Sequence, residues 1–236
     1  MKENQESELA QFIRERGPHC LIIARHGETG WNAEGRLQGQ RDTSLNARGV
    51  EQTLTSARFL KNVPIKRIHC STLERCRRTA ISIAEINISR PDIEYCDSIK
   101  ETALGILEGE MKSQQSTAEL TEHYRSFSDD EINYRVPDGE NLHDVFARVE
   151  RFFNARGDLL TGEGNHLIVG HRNVNKMILK FVLGLSFEEG FSVEHEHQRI
   201  YFFFGTRNEL WTCRQDDAET PYTQGYATID EDSSYA

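Results

Sequence analysis

The chain lacks a hydrophobic run long enough to cross a bilayer, and its polar opening, Met1 to Gly17, has no apolar core of the kind a signal peptide needs. A cytosolic location is the expectation. It also lacks an excess of positive charge: 38 Asp and Glu against 28 Lys and Arg leave a formal net charge of -10. Broad nucleic-acid or anionic-membrane surfaces are electropositive, so neither is an expected partner. No close CxxC pair occurs among Cys20, Cys70, Cys76, Cys96 and Cys213. An odd number at irregular spacing, partly within apolar stretches, reads as buried free thiols in a reducing compartment. The glycines Gly27, Gly30 and Gly35 fit neither the dinucleotide nor the P-loop spacing. No internal repeat is visible beyond an alternation of strand and helix patterns.

What is present is that alternation, in a chain of 236 residues, enough for one well-buried α/β domain over 1–236. After a polar lead with a short helical pattern at Leu9, Phe12 and Ile13, the run Cys20-Leu21-Ile22-Ile23-Ala24 reads as a buried strand that delivers Arg25 and His26. Val50, Leu54, Ala57 and Leu60 have helical spacing and predict a helix packed on one sheet face. Ile65 to Cys70 predicts a second strand, with Ser71 as N-cap and Glu74 completing a capping box. That helix carries Arg75 in its first turn. Ile93 to Cys96 predicts a strand leading toward Glu101.

Residues 110–138 are polar and read as a cap insertion over the active site. Pro137-Asp138-Gly139 is a turn. Leu142, Val145, Phe146, Val149, Phe152 and Phe153 mark an amphipathic helix. Leu167 to Gly170 is a strand that delivers His171, followed by a helix that stops at Gly184. Ile200 to Phe204 is a further strand, and 214–236 is a polar C-terminal segment. The alternation predicts a three-layer α/β/α sandwich with a mostly parallel central sheet. Ligands gather beyond the carboxyl ends of the strands in such folds.

Three predicted strands end in reactive or cationic groups: Arg25-His26, Ser71 with Arg75, and His171-Arg172. Phosphoryl transfer needs a nitrogen nucleophile, fixed cations for the equatorial oxygens, and an acid for the leaving oxygen. Lowering the barrier of phosphate-monoester hydrolysis by roughly 20 kcal/mol is beyond one arginine, since a well-placed donor supplies about 3–4 kcal/mol. A cluster of cations is therefore required.

Arg25-His26-Gly27-Glu28-Thr29, with Trp31-Asn32 after it, closely resembles the signature of the histidine phosphatase superfamily, also called phosphoglycerate mutase-like. Arg36-Leu37-Gln38-Gly39, Asp42, Leu45, Gly49, Ser71, Leu73, Arg75, Thr79, Ala80, Glu101, Gly105, Glu108-Gly109, Gly139-Glu140 and Gly170-His171 continue the resemblance in order from about residue 19 to 183. The resemblance implies His26 as the nucleophile that forms phosphohistidine, Arg25 and Arg75 as the clamp, and His171 as a donor to the same oxygens. Glu101 is the implied general acid and base, with Glu108 open as its alternative on composition alone. Asn32, Thr29, Gln38, Gly39 and Arg172 are the implied substrate-binding positions. Leu107 stands where relatives often carry tryptophan.

A metal-independent phosphomonoesterase acting on a small phosphorylated metabolite, such as a sugar phosphate, is the function implied. The segment Arg36 to Asp42 resembles the phosphatase branch. A bisphosphoglycerate-dependent phosphoglycerate mutase and an inactive phospho-ligand or protein-binding module stay open as alternatives. No cofactor and no metal are expected; His195 and His197 share a strand face, but two ligands do not make a site. An exposed sheet edge leaves room for a homo-oligomer.

Overall fold

The computed structural model describes residues 7–215 and 222–229. Helix α1 (Glu8–Arg16) precedes strand β1 (Leu21–Arg25), and a single turn, α2 (Gly30–Ala33), precedes α3 (Ala47–Phe59). Next come β2 (Ile65–Ser71), α4 (Glu74–Ile86), β3 (Asp92–Cys96), α5 (Ala118–Asp129) and α6 (Leu142–Asn154). The chain continues through β4 (Asn165–Gly170), α7 (Arg172–Leu183), α8 (Phe187–Ser192), β5 (Arg199–Phe204), β6 (Glu209–Arg214) and β7 (Thr223–Gln224).

The strands form one sheet in the order β3-β2-β4-β1-β5-β6-β7. The first four run parallel, and β5, β6 and β7 extend the sheet antiparallel from β1. This is a three-layer α/β/α sandwich, and the central strands β1, β4 and β5 read as nearly unbroken apolar runs because helices cover both faces. Ile22, Ala24, Leu167, Val169, Phe202 and Phe204 point to the face covered by α1, α3 and α4. Their neighbours Leu21, Ile23, Ile168, Tyr201 and Phe203 point to the face covered by α6 and α7. A third, smaller cluster, with Leu37, Leu104, Leu107, Phe127 and Val136, lies where α5 meets the loops after β1 and β3.

Two local expectations are corrected. The helix at Val50 and Leu54 exists, yet those side chains are exposed, at 48% and 41%. The buried face of α3 is polar: Gln52 accepts from the Glu28 backbone N–H (2.8 Å), Thr53 meets Thr79 (3.3 Å), and Ser56 donates to Gln215 (2.8 Å). Ala57 and Leu60 of the same predicted stripe are buried in the core, so the spacing held at the end of the helix and failed at its start, where α3 braces a loop. Ser71 is not an N-cap either. It ends β2, Leu73 takes the cap position without a side-chain bond, and the Glu74 N–H donates to Asp42 (2.6 Å) from a distant loop. The Ser71 hydroxyl is turned to His171 instead.

All five cysteines are free and buried. Among the described residues, no helix is long and apolar enough to cross a membrane. Residues 222–229 of the C-terminal segment lie over the fold. Tyr222 stacks on Phe12 with ring centroids 4.0 Å apart, and the backbone bonds of 227–229 reach Ser192 to Glu194.

The loop after β1 lies against the start of α3 with no room for side chains. A Cβ on Gly49 would sit 1.9 Å from the Glu28 carbonyl oxygen, whereas one on Gly157 would meet nothing within 4 Å. Gly49→Ala should therefore cost about 1–3 kcal/mol or more through overpacking. Gly157→Ala should stay within about 0.5 kcal/mol of wild type. Urea unfolding of both variants checks this, and equal midpoints would show that the loop does not depend on the close approach.

Candidate active site

β2, β4 and β1 are neighbours, so their carboxyl ends bring Ser71, His171 and Arg25-His26 to one edge of the sheet. The His26 N–H donates to the Gly170 carbonyl (3.1 Å), which extends the β1–β4 ladder by one bond and fixes the backbone of His26. The ring is almost fully buried, and its Nδ1 lies 2.7 Å from the Gly27 carbonyl. A carbonyl only accepts, so Nδ1 carries the proton and Nε2 holds the lone pair. The ring of His171 lies 5.0 Å away, centroid to centroid.

Arg75, 1% exposed, reaches the same edge from the first turn of α4. Its guanidinium donates to the Arg41 carbonyl (2.8 Å), the Gly39 carbonyl (2.9 Å) and Nδ1 of His171 (3.2 Å). His171 therefore carries its proton on Nε2, which donates to Ser71 Oγ (2.8 Å). Arg25 donates to the His195 carbonyl (3.1 Å), while its Nε has no partner among the described residues. Burial, then the cation of Arg172, pushes the Arg25 guanidinium down to about 10, still charged at neutral pH.

Glu101 meets this edge from the segment after β3. Its carboxylate accepts from Thr102 N (3.0 Å) and from Asn173 and Val174 N (each 3.3 Å), at the start of α7. Glu108 accepts from Gln40 N (2.8 Å) and Leu104 N (3.1 Å) and pairs with Arg41 (3.4 Å), and its charge also acts on Arg75. It shapes the loop that carries Gly39 and Arg41. Gly39 has φ +51°, and a Cβ there would strike the Glu108 carboxylate.

The other anticipated contacts divide. Asn32 Oδ1 accepts from the backbone and hydroxyl of Thr29 in the capping box of α2, and the Thr29 hydroxyl also bonds Gln38 (3.0 Å). Thr29 is fully buried, and its polar atoms and the Gln38 carbonyl are directed into the loop. Arg172 opens α7 beside His171, close enough for its charge to act on Arg25.

Several supporting groups have roles the sequence did not reveal, and His195 and His197, expected to share a strand face, lie in the segment before β5 instead. His197 donates from Nδ1 to the His26 carbonyl (2.7 Å), across 171 residues of chain. Asn175 bonds both the Ala24 carbonyl (3.0 Å) and Nε2 of His195 (3.2 Å). His195 and His197 thus brace the strand end rather than pair as metal ligands. Arg148 donates to Glu140 (3.0 Å) and to the carbonyls of Ser98 (2.8 Å) and Glu101 (3.0 Å), holding the Glu101 segment. A cation within the apolar stripe Val145, Val149, Phe152 was the signal that could have found it.

Burial, followed by the charges of Arg75, His171, Arg25 and His197, holds the His26 imidazole well below its ordinary range. Burial does the same to His171, with Arg75 next. The arrangement is a neutral nitrogen lone pair beside two fixed guanidiniums, which suits an electron-poor centre bearing anionic oxygens.

Comparison with known proteins shows the family and the fold. The profile of the histidine phosphatase superfamily (branch 1) matches residues 21–215. A relative from Escherichia coli O1:K1, named "Probable phosphoglycerate mutase GpmB", is 34% identical over 166 residues, covering 70% of this chain and 75% of its own. The alpha-ribazole phosphatase of Shigella flexneri superposes with TM-score 0.71 at 24% identity, covering 89% of this chain and 96% of that one. A phosphoserine phosphatase of Entamoeba histolytica superposes with TM-score 0.66 at 20% identity, covering 89% and 98%.

Six histidines, His26, His69, His166, His171, His195 and His197, are held neutral chiefly by burial, His166 at about 4 and His195 at about 3. Their folded values lie below the unfolded value near 6.5, so the unfolded chain binds more protons in between. Stability from this source is complete above about pH 6.5 and is lost as pH falls, at up to ~1.4 kcal/mol per pH unit for each histidine. Urea midpoints measured from pH 8 to pH 5 should be level above about 6.5 and drop steadily below it. A level profile down to pH 5 would show that the rings are not buried neutral.

Proposed function

This chain belongs to the histidine phosphatase superfamily (branch 1), and on that premise we propose that it hydrolyses a small phosphorylated metabolite, such as a sugar phosphate, through a phosphohistidine at His26. The observation that carries the proposal is the tautomer of His26. Its Nδ1–H is tied to Gly27, its Nε2 lone pair is unprotonated, and burial keeps it so at neutral pH.

In the first step, Nε2 of His26 attacks phosphorus as the bond to the leaving oxygen breaks. Glu101 gives that oxygen a proton. In the second, water attacks the phosphohistidine, Glu101 takes the water's proton, and the P–N bond breaks to release phosphate. Arg25 and Arg75 bind the equatorial oxygens throughout, and positioning by such a clamp is worth on the order of 7–11 kcal/mol. His171 acts first on Arg75, fixing the plane of its fork. Donation from His171 to the phosphoryl group, the role implied by resemblance, requires its Nε2–H to leave Ser71. Asn32 and Arg172 border the substrate, while Thr29, Gln38 and Gly39 shape the loop behind Arg75. The reaction as written uses no metal.

Bisphosphoglycerate-dependent mutase activity is the second reading, and the name of the 34% identical relative favours it. There the phosphoryl group returns to a second hydroxyl of a retained intermediate rather than to water. The segment Arg36 to Asp42 favours hydrolysis.

Phosphate release from a panel of sugar phosphates, phosphoglycerates, nucleotides and phosphopeptides, in the presence of chelator, decides between them. Rapid release from one or a few metabolites is expected. Glu101→Gln should lose more activity on alkyl phosphates than on p-nitrophenyl phosphate, whose leaving group needs no proton. Positional transfer between phosphoglycerates that requires bisphosphoglycerate, without release, would establish the mutase instead.

A further inference from the structure

Away from the reaction edge, β2 and β3 carry a second constellation. His69 and Glu94 are register partners on the two strands, and Cys96 follows two residues later on the same face of β3. One ligand-type atom from each of the three lies within 4.8 Å of the others. His69 is 2% exposed and Cys96 5%.

The geometry of His69 is the unusual part. Its Nε2 is matched to Nδ1 of His166 at 3.1 Å. Its Nδ1 is buried and has no hydrogen-bond partner among the described residues, although Oε2 of Glu94 is only 3.1 Å away. Closeness without hydrogen-bond alignment is what two ligands of one cation look like. Tetrahedral coordination with metal–nitrogen and metal–oxygen bonds of about 2.0–2.1 Å sets those two atoms about 3.3 Å apart. The cluster already selects positive charge, because the Arg156 guanidinium bonds the Glu94 carboxylate and approaches the Cys96 sulfur at 3.6 Å. A cleft of about 300 Å³, whose lining includes Lys66, Arg67 and Arg156, opens onto His69 and Glu94, and Arg67 lies 3.9 Å from the Glu94 carboxylate.

We propose that His69, Glu94 and Cys96 form a binding site for a thiophilic divalent cation, Zn²⁺ above all, with Arg156 as the competing cation in the metal-free protein. A thiolate, an imidazole and one carboxylate suit zinc rather than magnesium or calcium, which take all-oxygen sets. The donors are His69 Nδ1, a Glu94 carboxylate oxygen and Cys96 Sγ. Water fills the fourth position from the cleft. At neutral pH an ordinary thiol is protonated, so binding forms the metal–sulfur bond and releases the thiol proton to solvent. The site would pin the edge strand β3 to β2 and leaves the chemistry at His26 untouched.

Cobalt(II), as the spectroscopic stand-in for zinc, tests the site in the full chain. Wild type should bind one cobalt ion with a thiolate-to-metal charge-transfer band, release one proton, and lose the band when zinc is added. Cys96→Ser should abolish the band with phosphate release unchanged. Arg156→Ala should tighten binding at least tenfold by removing the competing cation. Absence of the band in wild type at saturating cobalt, its persistence in Cys96→Ser, or no tighter binding by Arg156→Ala would each overturn the proposal.

Discussion

The structure turns on one buried cation. Arg75 is enclosed at the junction of α4 with the ends of β2 and β4, and its hydrogen bonds run to neutral acceptors: two carbonyls and an imidazole. Withdrawing a charge from water costs several kcal/mol even after relaxation. Carbonyls and an imidazole orient the guanidinium without cancelling its charge. The carboxylates of Glu101, Asp42 and Glu108 act on that charge without a direct ion pair among the described residues, and the neutral states of His26 and His171 follow partly from it, since Arg75 is the next cause after burial in both.

Much of the surrounding architecture serves to hold that cation and its neighbours in place. Glu108 fixes the turn from Gly39 to Arg41, whose carbonyls receive Arg75. Asp42 caps the helix that carries it. Gln52 holds the loop after His26 from α3, and His197 holds the carbonyl of His26 from the far end of the chain. On the acid side, the Arg148–Glu140 pair secures the segment of Glu101. These groups are remote in sequence and meet only because the parallel strands end together.

That division explains what could be read in advance. The central strands β1, β4 and β5 were legible because helices on both faces make them apolar runs, whereas β6 and β7, mixed or exposed in sequence, were not read, and the residues at the ends of β1, β2 and β4 were legible as a chemical set. The choice between Glu101 and Glu108 was open on composition, and in the structure both carboxylates accept backbone N–H groups, Glu108 being paired with Arg41 as well. Polar residues doing structural duty were misread. Ser71 has the spacing of an N-cap, yet His171 claims its hydroxyl; Val50 and Leu54 have the spacing of a core stripe, yet α3 turns Gln52, Thr53 and Ser56 inward. His69 looked unremarkable in the chain, because its relation to Glu94 and Cys96 exists only across two paired strands.

The central claim is that phosphoryl groups pass through Nε2 of His26. Acid-free rapid quenching of the enzyme with a radiolabelled phosphomonoester, followed by peptide mapping, tests it most directly. The account predicts a transient, acid-labile and base-stable phosphoryl adduct on His26 that is absent from His26→Ala. Turnover with label on another residue, or an adduct that survives loss of His26, would contradict it.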